Sequence, residues 1–313
     1  MVLALILACG GYPDDDVLRV NHLQAKGTHN SYHVMTSDIL PWRYTRDPLD
    51  VQLDAGIRQF ELDVRWEGGE IAVYHVETFD EGTVCATFAD CVRPLAAWSA
   101  AHRGHHPLLV LVEIKSRFDA ATAPDFLAAI DATLAAELGP DRLLVPDDVT
   151  GGTANLRDTL AATGWPTLGE TRGRTLFVLH AGDPWRSAYL RDGDTAAVTL
   201  FPDGFGDLTL PFSGVHTMNN PFDPHLPGVI AAGHLVRTRA DADLAEAAAN
   251  DTGPRDQALA VGAHFITTDV PDPLDWTTYF VAIPDGTPSR CNPATAPTDC
   301  RPSDIERPER LTP

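Results

Sequence analysis

Short apolar runs alternate with Ala- and Leu-rich stretches along most of the chain, and the two patterns differ in length and composition. The short runs are HLQAKGT (22–28), IRQFELDVRW (57–66), PLLVLVEIKS (107–116), RTLFVLHAG (174–182), AAVTLFP (196–202), SGVHTMN (213–219), GHLVRTR (233–239) and AHFITTD (263–269). Their length and β-rich content predict strands. Between them, CVRPLAAWSAAH (91–102), APDFLAAIDATLAAEL (123–138) and DADLAEAAAN (241–250) predict helices. Eight strand–helix units over about 250 residues match the size of a (β/α)8 barrel. The expected fold is therefore α/β, a TIM-type barrel or a distorted variant of one, over residues 12–281. Residues 282–313 are Pro-rich and predict an irregular C-terminal extension.

Alternation within the strands sorts chemistry from packing, because successive side chains point to opposite faces. In the second strand Phe60, Leu62 and Val64 form an apolar face, while Gln59, Glu61, Asp63 and Arg65 form the other. Carboxylates facing into a barrel are costly unless a cation or hydrogen bonds neutralise them. The third strand is apolar through Val112 and then places Glu113 and Lys115 on one face at its C-terminal end. The first strand ends on His29 and Asn30, and the loop VYHVETFDEGTVC brings His75. Asn30, Glu61, Asp63 and Glu113 offer oxygen donors only, a set that suits a hard cation, and calcium accepts such an irregular set better than magnesium. Two histidines beside it suit a proton exchange near neutral pH.

Charge and cysteines narrow the setting. With 23 basic against 44 acidic residues the formal net charge is −21. That argues against nucleic acid as a partner and against adhesion to anionic lipid through a basic face. The opening MVLALILACGG resembles the end of a secretory signal with a lipoprotein-type cleavage site, so residues 1–11 predict export and Cys9 a lipid anchor. Cys85, Cys91, Cys291 and Cys300 fall into two close pairs without metal-type spacing, which predicts two local disulfides in an oxidising compartment. No aromatic ridge for membrane docking is legible, and nothing demands more than a monomer.

Taken in order, GTHNSYH, QLDAGIRQFELDVRW, VYHVETFDEGTVCATFADC, HHPLLVLVEIK, WPTLGETRGRTLFVL, LVRTRADAD and GAHFITTDVP resemble the calcium-dependent phosphoinositide phospholipase C family of bacterial type, over roughly residues 20 to 272. The resemblance implies a barrel with His29 as general base, His75 as general acid, and Asn30, Glu61, Asp63 and Glu113 as ligands of Ca2+. It implies a phospholipid substrate, cleaved by attack of the inositol 2-hydroxyl to diacylglycerol and a cyclic inositol phosphate. Metal-independent relatives put an arginine at the calcium position and an aspartate after the first histidine. Position 30 here is Asn, which fits the calcium-dependent branch. Lys115, Arg237 and Arg239 are candidate substrate contacts and Asp269 a candidate partner for His29, with structural ion pairs as the alternative for each. His33, His102, His105 and His106 are expected at the surface or rim, and His180, His216 and His264 as hydrogen-bonded core residues. Glycerophosphodiesterases and sphingomyelinase-D-like enzymes share the barrel and its acidic site and form one rival reading. A non-catalytic exported calcium-binding lipoprotein forms another.

Overall fold

The structure is a computed structural model that describes residues 11–152, 155–190 and 195–311. The expected signal segment, with Cys9 and all but its last residue, lies outside the described residues. Ten strands follow in chain order: β1 (Leu23–Thr28), β2 (Gln59–Glu67), β3 (Glu70–Val73), β4 (Leu108–Ile114), β5 (Thr175–His180), β6 (Phe201–Pro202), β7 (Val215–Thr217), β8 (Leu235–Arg239), β9 (Phe265–Thr268) and β10 (Arg290–Cys291). Eight of them line up as β6-β5-β4-β2-β1-β9-β8-β7, all parallel. The two ends meet through one parallel bridge, Asp203 to Val215, so the barrel is nearly closed. Each expected strand coincides with one of these eight. β3 was not expected; it folds back on β2 as a hairpin before the loop that carries His75.

Two apolar layers follow from strand parity. Phe60, Leu62, Val64, Val110 and Val112 face outward into a layer shared with the helices Phe88–Ala101 and Ala123–Glu137. Leu23, Ala25, Leu109, Leu111, Leu176, Val178, Leu235 and Phe265 fill the barrel interior. Following the inward parity along each strand reaches His29, Asp63, Glu113, His180, Asp203, Asn219, Arg239 and Asp269 at the C-terminal mouth. Pairing holds these ends level: Asp63 stands opposite Glu113, and Glu113 opposite His180.

The C-terminal extension is tied into the barrel. β10 pairs antiparallel with the start of β1, and Cys291 is bonded to Cys300. Further on, Glu306 is fully buried against Arg58 and accepts the His106 N–H at 3.1 Å. His105 and His106 are therefore not the rim residues expected from HRGHHP: both are fully buried at the N-terminal end of the barrel, and His106 also pairs with Ser289 at 2.7 Å. His33 is likewise fully buried. His102 is half-buried and stacks on Trp98.

Candidate active site

Three carboxylates from two adjacent strands converge at the mouth. Glu61, Asp63 and Glu113 each bring an oxygen to within 4.8 Å of the others. Glu61 and Asp63 are buried, and Glu113 is half-buried. Glu61 Oε2 is paired with Arg237, leaving Oε1 at 3.7 Å from His29 Nε2. Glu113 Oε1 accepts from Lys115 Nζ at 2.6 Å, leaving its second oxygen. Neither oxygen of the buried Asp63 has a well-formed hydrogen bond; its polar neighbours are Lys115 Nζ, 3.3 Å from Oδ2, and the Tyr32 hydroxyl. A buried carboxylate between two others, with only the Lys115 ammonium beside it, leaves negative charge that a further cation would offset.

Electrostatics divide the three. Burial would raise the Glu61 carboxyl, but Arg237, with His29 and His180, holds it down to about 2. Burial pushes Asp63 well above the usual carboxylate range, and Glu113 adds to that push against the pull of Lys115. Burial alone would lower Lys115, yet Asp63 and Glu113 raise it. Asn30, next to His29 after β1, adopts a left-handed turn (φ 42°), a conformation Asn tolerates. Its Nδ2 donates to the Tyr44 hydroxyl at 3.3 Å. Three carboxylates, one of them without a well-formed hydrogen bond, form a donor set that fits a hard divalent cation such as Ca2+.

Each of two imidazoles has a carboxylate behind it. His29 Nδ1 lies 2.8 Å from Asp269 Oδ1, and Asp269 is flanked by Arg46 at 3.5 Å and Arg239 at 3.4 Å. Burial would raise Asp269, but His29, Arg239 and Arg46 hold it well below the usual range, so it is ionised. An ionised partner fixes the Nδ1–H tautomer of His29 and leaves Nε2 as the acceptor. His75 Nδ1 lies 2.9 Å from Asp80 Oδ2. Burial lowers the His75 pKa, with Lys115 and His29 acting in the same direction against Asp80.

The remaining expected residues fall at the same mouth. Arg237 is buried on Glu61, Asn219 and Thr267, and each of its three nitrogens has a partner within the protein. Arg239 bonds the Asp241 carbonyl at 2.9 Å and reaches toward His29 and Asp269. His180 departs from the core placement expected of it. Its Nδ1 lies 2.7 Å from Asp203, its side chain reaches the mouth with 15% exposure, and its pKa is raised, because Asp203, Glu113 and Glu61 outweigh burial. His216 and His264 are fully buried and hydrogen-bonded. Sequence reading missed Asp80, Arg46 and Tyr44. Asp80 lies five residues after His75 in a polar loop, and no spacing rule singles it out.

The mouth is rimmed by exposed apolar side chains that no run in the sequence marked out. Met35 and Leu40 follow β1, Phe79 shares the His75 loop, Phe205 and Phe222 follow β6 and β7, and Trp276 follows β9. A cavity of about 450 Å³ opens beside Asp269, with Met35, Leu274 and Trp276 among its walls.

The sequence model of a family described as phosphoinositide phospholipase C, Ca2+-dependent, matches residues 65–293. That span includes His75, Glu113, Lys115, Arg237, Arg239 and Asp269, whereas His29, Asn30, Glu61 and Asp63 precede it. No curated protein matched the chain. Among solved structures, it is similar to a Ca2+-dependent phosphatidylinositol-specific phospholipase C from Streptomyces antibioticus, at 23% identity and TM-score 0.60, covering 80% of this chain and 95% of that one. It is also similar to a calcium-dependent phosphoinositol-specific phospholipase C from a Pseudomonas species, at 18% identity and TM-score 0.62, covering 83% and 92%. A mutant of the phosphatidylinositol-specific phospholipase C from Staphylococcus aureus follows at 14% identity and TM-score 0.55, covering 86% and 92%. At these identities the likeness is one of fold.

Proposed function

The chain belongs to the Ca2+-dependent phosphoinositide phospholipase C family, and from that premise we propose that it cleaves phosphatidylinositol-type lipids to diacylglycerol and a cyclic inositol phosphate. The observation that carries the reading is the convergence of Glu61, Asp63 and Glu113 with two carboxylate-backed imidazoles at one barrel mouth. Glu61, Asp63, Glu113 and the Asn30 amide oxygen would hold Ca2+. Bound there, the ion supplies positive charge against the phosphate and favours ionisation of the attacking hydroxyl.

His29 Nε2 accepts the proton of the inositol 2-hydroxyl as its oxygen bonds to phosphorus. His75 delivers a proton from Nε2 to the glycerol oxygen as the old P–O bond breaks. The proton count is thereby balanced, with one imidazole gaining what the other loses. Lys115 and Arg239 stand near enough to the mouth to bind phosphate oxygens, while Arg237 positions Glu61. The apolar rim supports a lipid substrate, because large exposed apolar groups around a polar mouth suit an interface between water and acyl chains. We include export in the reading, supported by the Cys85–Cys91 and Cys291–Cys300 disulfides. No helix of the described residues is long and apolar enough to cross a membrane.

The test is turnover of a phospholipid panel with Ca2+ present, products identified by phosphorus NMR. A cyclic inositol phosphate from phosphatidylinositol is expected. Release of a free headgroup alcohol or cleavage of choline lipids alone would contradict the proposal.

A further inference from the structure

We propose that His33 is a positioning residue for the general acid: it locks the Asp80 carboxylate, and Asp80 in turn aims His75. The inference rests on the reading of His75 as that acid. His33 Nδ1 lies 2.9 Å from the Tyr44 carbonyl oxygen, and its Nε2 lies 3.0 and 2.9 Å from the two oxygens of Asp80. A carbonyl oxygen only accepts, so Nδ1 carries a hydrogen. A second hydrogen lies between Nε2 and Asp80, because a nitrogen lone pair facing a carboxylate lone pair would repel it. The pair therefore holds both protons and is neutral as a unit, which permits a fully buried carboxylate beneath the site.

The same carboxylate is fixed from three directions. Besides His33, it accepts from His75 Nδ1 at 2.9 Å and from the Thr36 hydroxyl at 3.1 Å. Its plane cannot rotate without breaking one of these bonds. Held so, His75 keeps its Nδ1–H on Asp80, and the proton it gives up is the second one, carried on Nε2 of the imidazolium. The His33 ring stands edge-on to His75 at 6.3 Å and Trp42 does the same at 5.8 Å, which restricts the imidazole further. Local backbone explains how the loops come this close. His33 bridges Thr83, the Val34 N–H donates to the Gly82 carbonyl at 3.0 Å, and a Cβ at Gly82 would overlap the Val34 carbonyl oxygen.

The contrast with the other imidazole sharpens the role. Asp269 behind His29 has Arg46 and Arg239 as counter-charges. Asp80 has no arginine or lysine partner among the described residues; His33 takes that place. A carboxylate neutralised by His33 orients His75 while strengthening its hold on the proton less than a bare carboxylate would. That suits a group that must give its proton up.

A general acid matters only when the leaving group is poor, and this separates positioning from general damage. His33→Leu is compared with the parent on phosphatidylinositol, whose leaving oxygen needs a proton, and on a nitrophenyl inositol phosphodiester, whose leaving group does not. The expected loss in kcat on the lipid is roughly ten- to a hundredfold, part of the 10²–10⁴ a general acid supplies. On the nitrophenyl diester kcat stays within about threefold, as expected where proton delivery is not needed. KM and the calcium-induced thermal shift stay as in the parent. His33→Gln, which keeps a donor for Asp80, restores most of the lipid activity. If His33→Leu does not fold, the isosteric Asp80→Asn decides instead, with the same leaving-group dependence expected. Equal losses on both substrates, or no loss on the lipid, overturn the proposal. His75→Ala is run alongside: if it loses both substrates equally, the acid reading itself fails. If it discriminates and His33→Leu does not, only the role of His33 fails.

Discussion

Replacing His29 or His75 by alanine removes one half of the proposed proton exchange, and each variant is expected to lose roughly 10²–10⁴-fold in kcat on phosphatidylinositol. Steady-state assays on folded variants check this; an undiminished His75→Ala enzyme would remove the acid. Asp269→Asn acts one step back, since an amide can present a hydrogen to His29 Nδ1 and reverse its tautomer, moving the proton to Nε2. A loss of roughly ten- to a hundredfold in kcat is expected, with substrate affinity little changed. At this scale the sequence was informative where strand parity governs. Glu61, Asp63, Glu113 and Asp269 all lie on inward-facing positions that alternation exposes directly. It misplaced His33, expected at the surface or rim but fully buried, and was silent on Asp80. Their meeting depends on how closely two loops approach, which Gly82 and the packing of Tyr44 decide and no periodicity records.

Among elements, the strands were legible because each combines a β-rich run with a polar end, even the two-residue β6 and three-residue β7. The β3 hairpin was not, since four residues leave too short a pattern to distinguish from the loop that follows. That loop carries the proposed acid, and its far end is tied by the Cys85–Cys91 bond to the first turn of the helix Phe88–Ala101. Replacing both cysteines by serine is expected to lower unfolding free energy by about 2 kcal/mol, the loop-closure value for so short a ring. Chemical denaturation reads that loss. Lipid turnover should fall further than turnover of a nitrophenyl diester, because the loosened loop is the one that presents His75.

Over the whole molecule, the fold class was readable from eight β-rich runs, but the place of the C-terminal extension was not. Its Pro-rich composition and the Cys291–Cys300 pair suggest an irregular pinned extension, but not that Glu306 reaches back to form a buried ion pair with Arg58. Burial would raise Glu306; Arg58 and His106 hold it down to about 2. Its stabilising contribution is therefore complete above the ordinary carboxylate range and is lost as pH falls toward about 2. Removing one partner of such a pair leaves a buried charge, so Glu306→Gln is expected to destabilise by about 3–5 kcal/mol. Buried neutral histidines shape the milder acid range. Burial, outweighing nearby carboxylates where present, lowers His105 and His264 to about 3, and lowers His106, His216 and His234 to about 4. Below the ordinary value of 6.5 the unfolded chain binds protons that these five refuse, so stability falls as pH drops from there toward about 4. Thermal unfolding at pH 7 and pH 5 is expected to show a clear drop in Tm at the lower pH, and a flat profile would contradict the burial of these rings.

The account turns on one divalent ion shared by Glu61, Asp63 and Glu113, and calorimetric titration of the protein with Ca2+ tests it most directly. One ion bound per chain is predicted, with binding abolished in Asp63→Asn while the variant remains folded. Unchanged calcium binding in Asp63→Asn, or no binding by the parent, would contradict it.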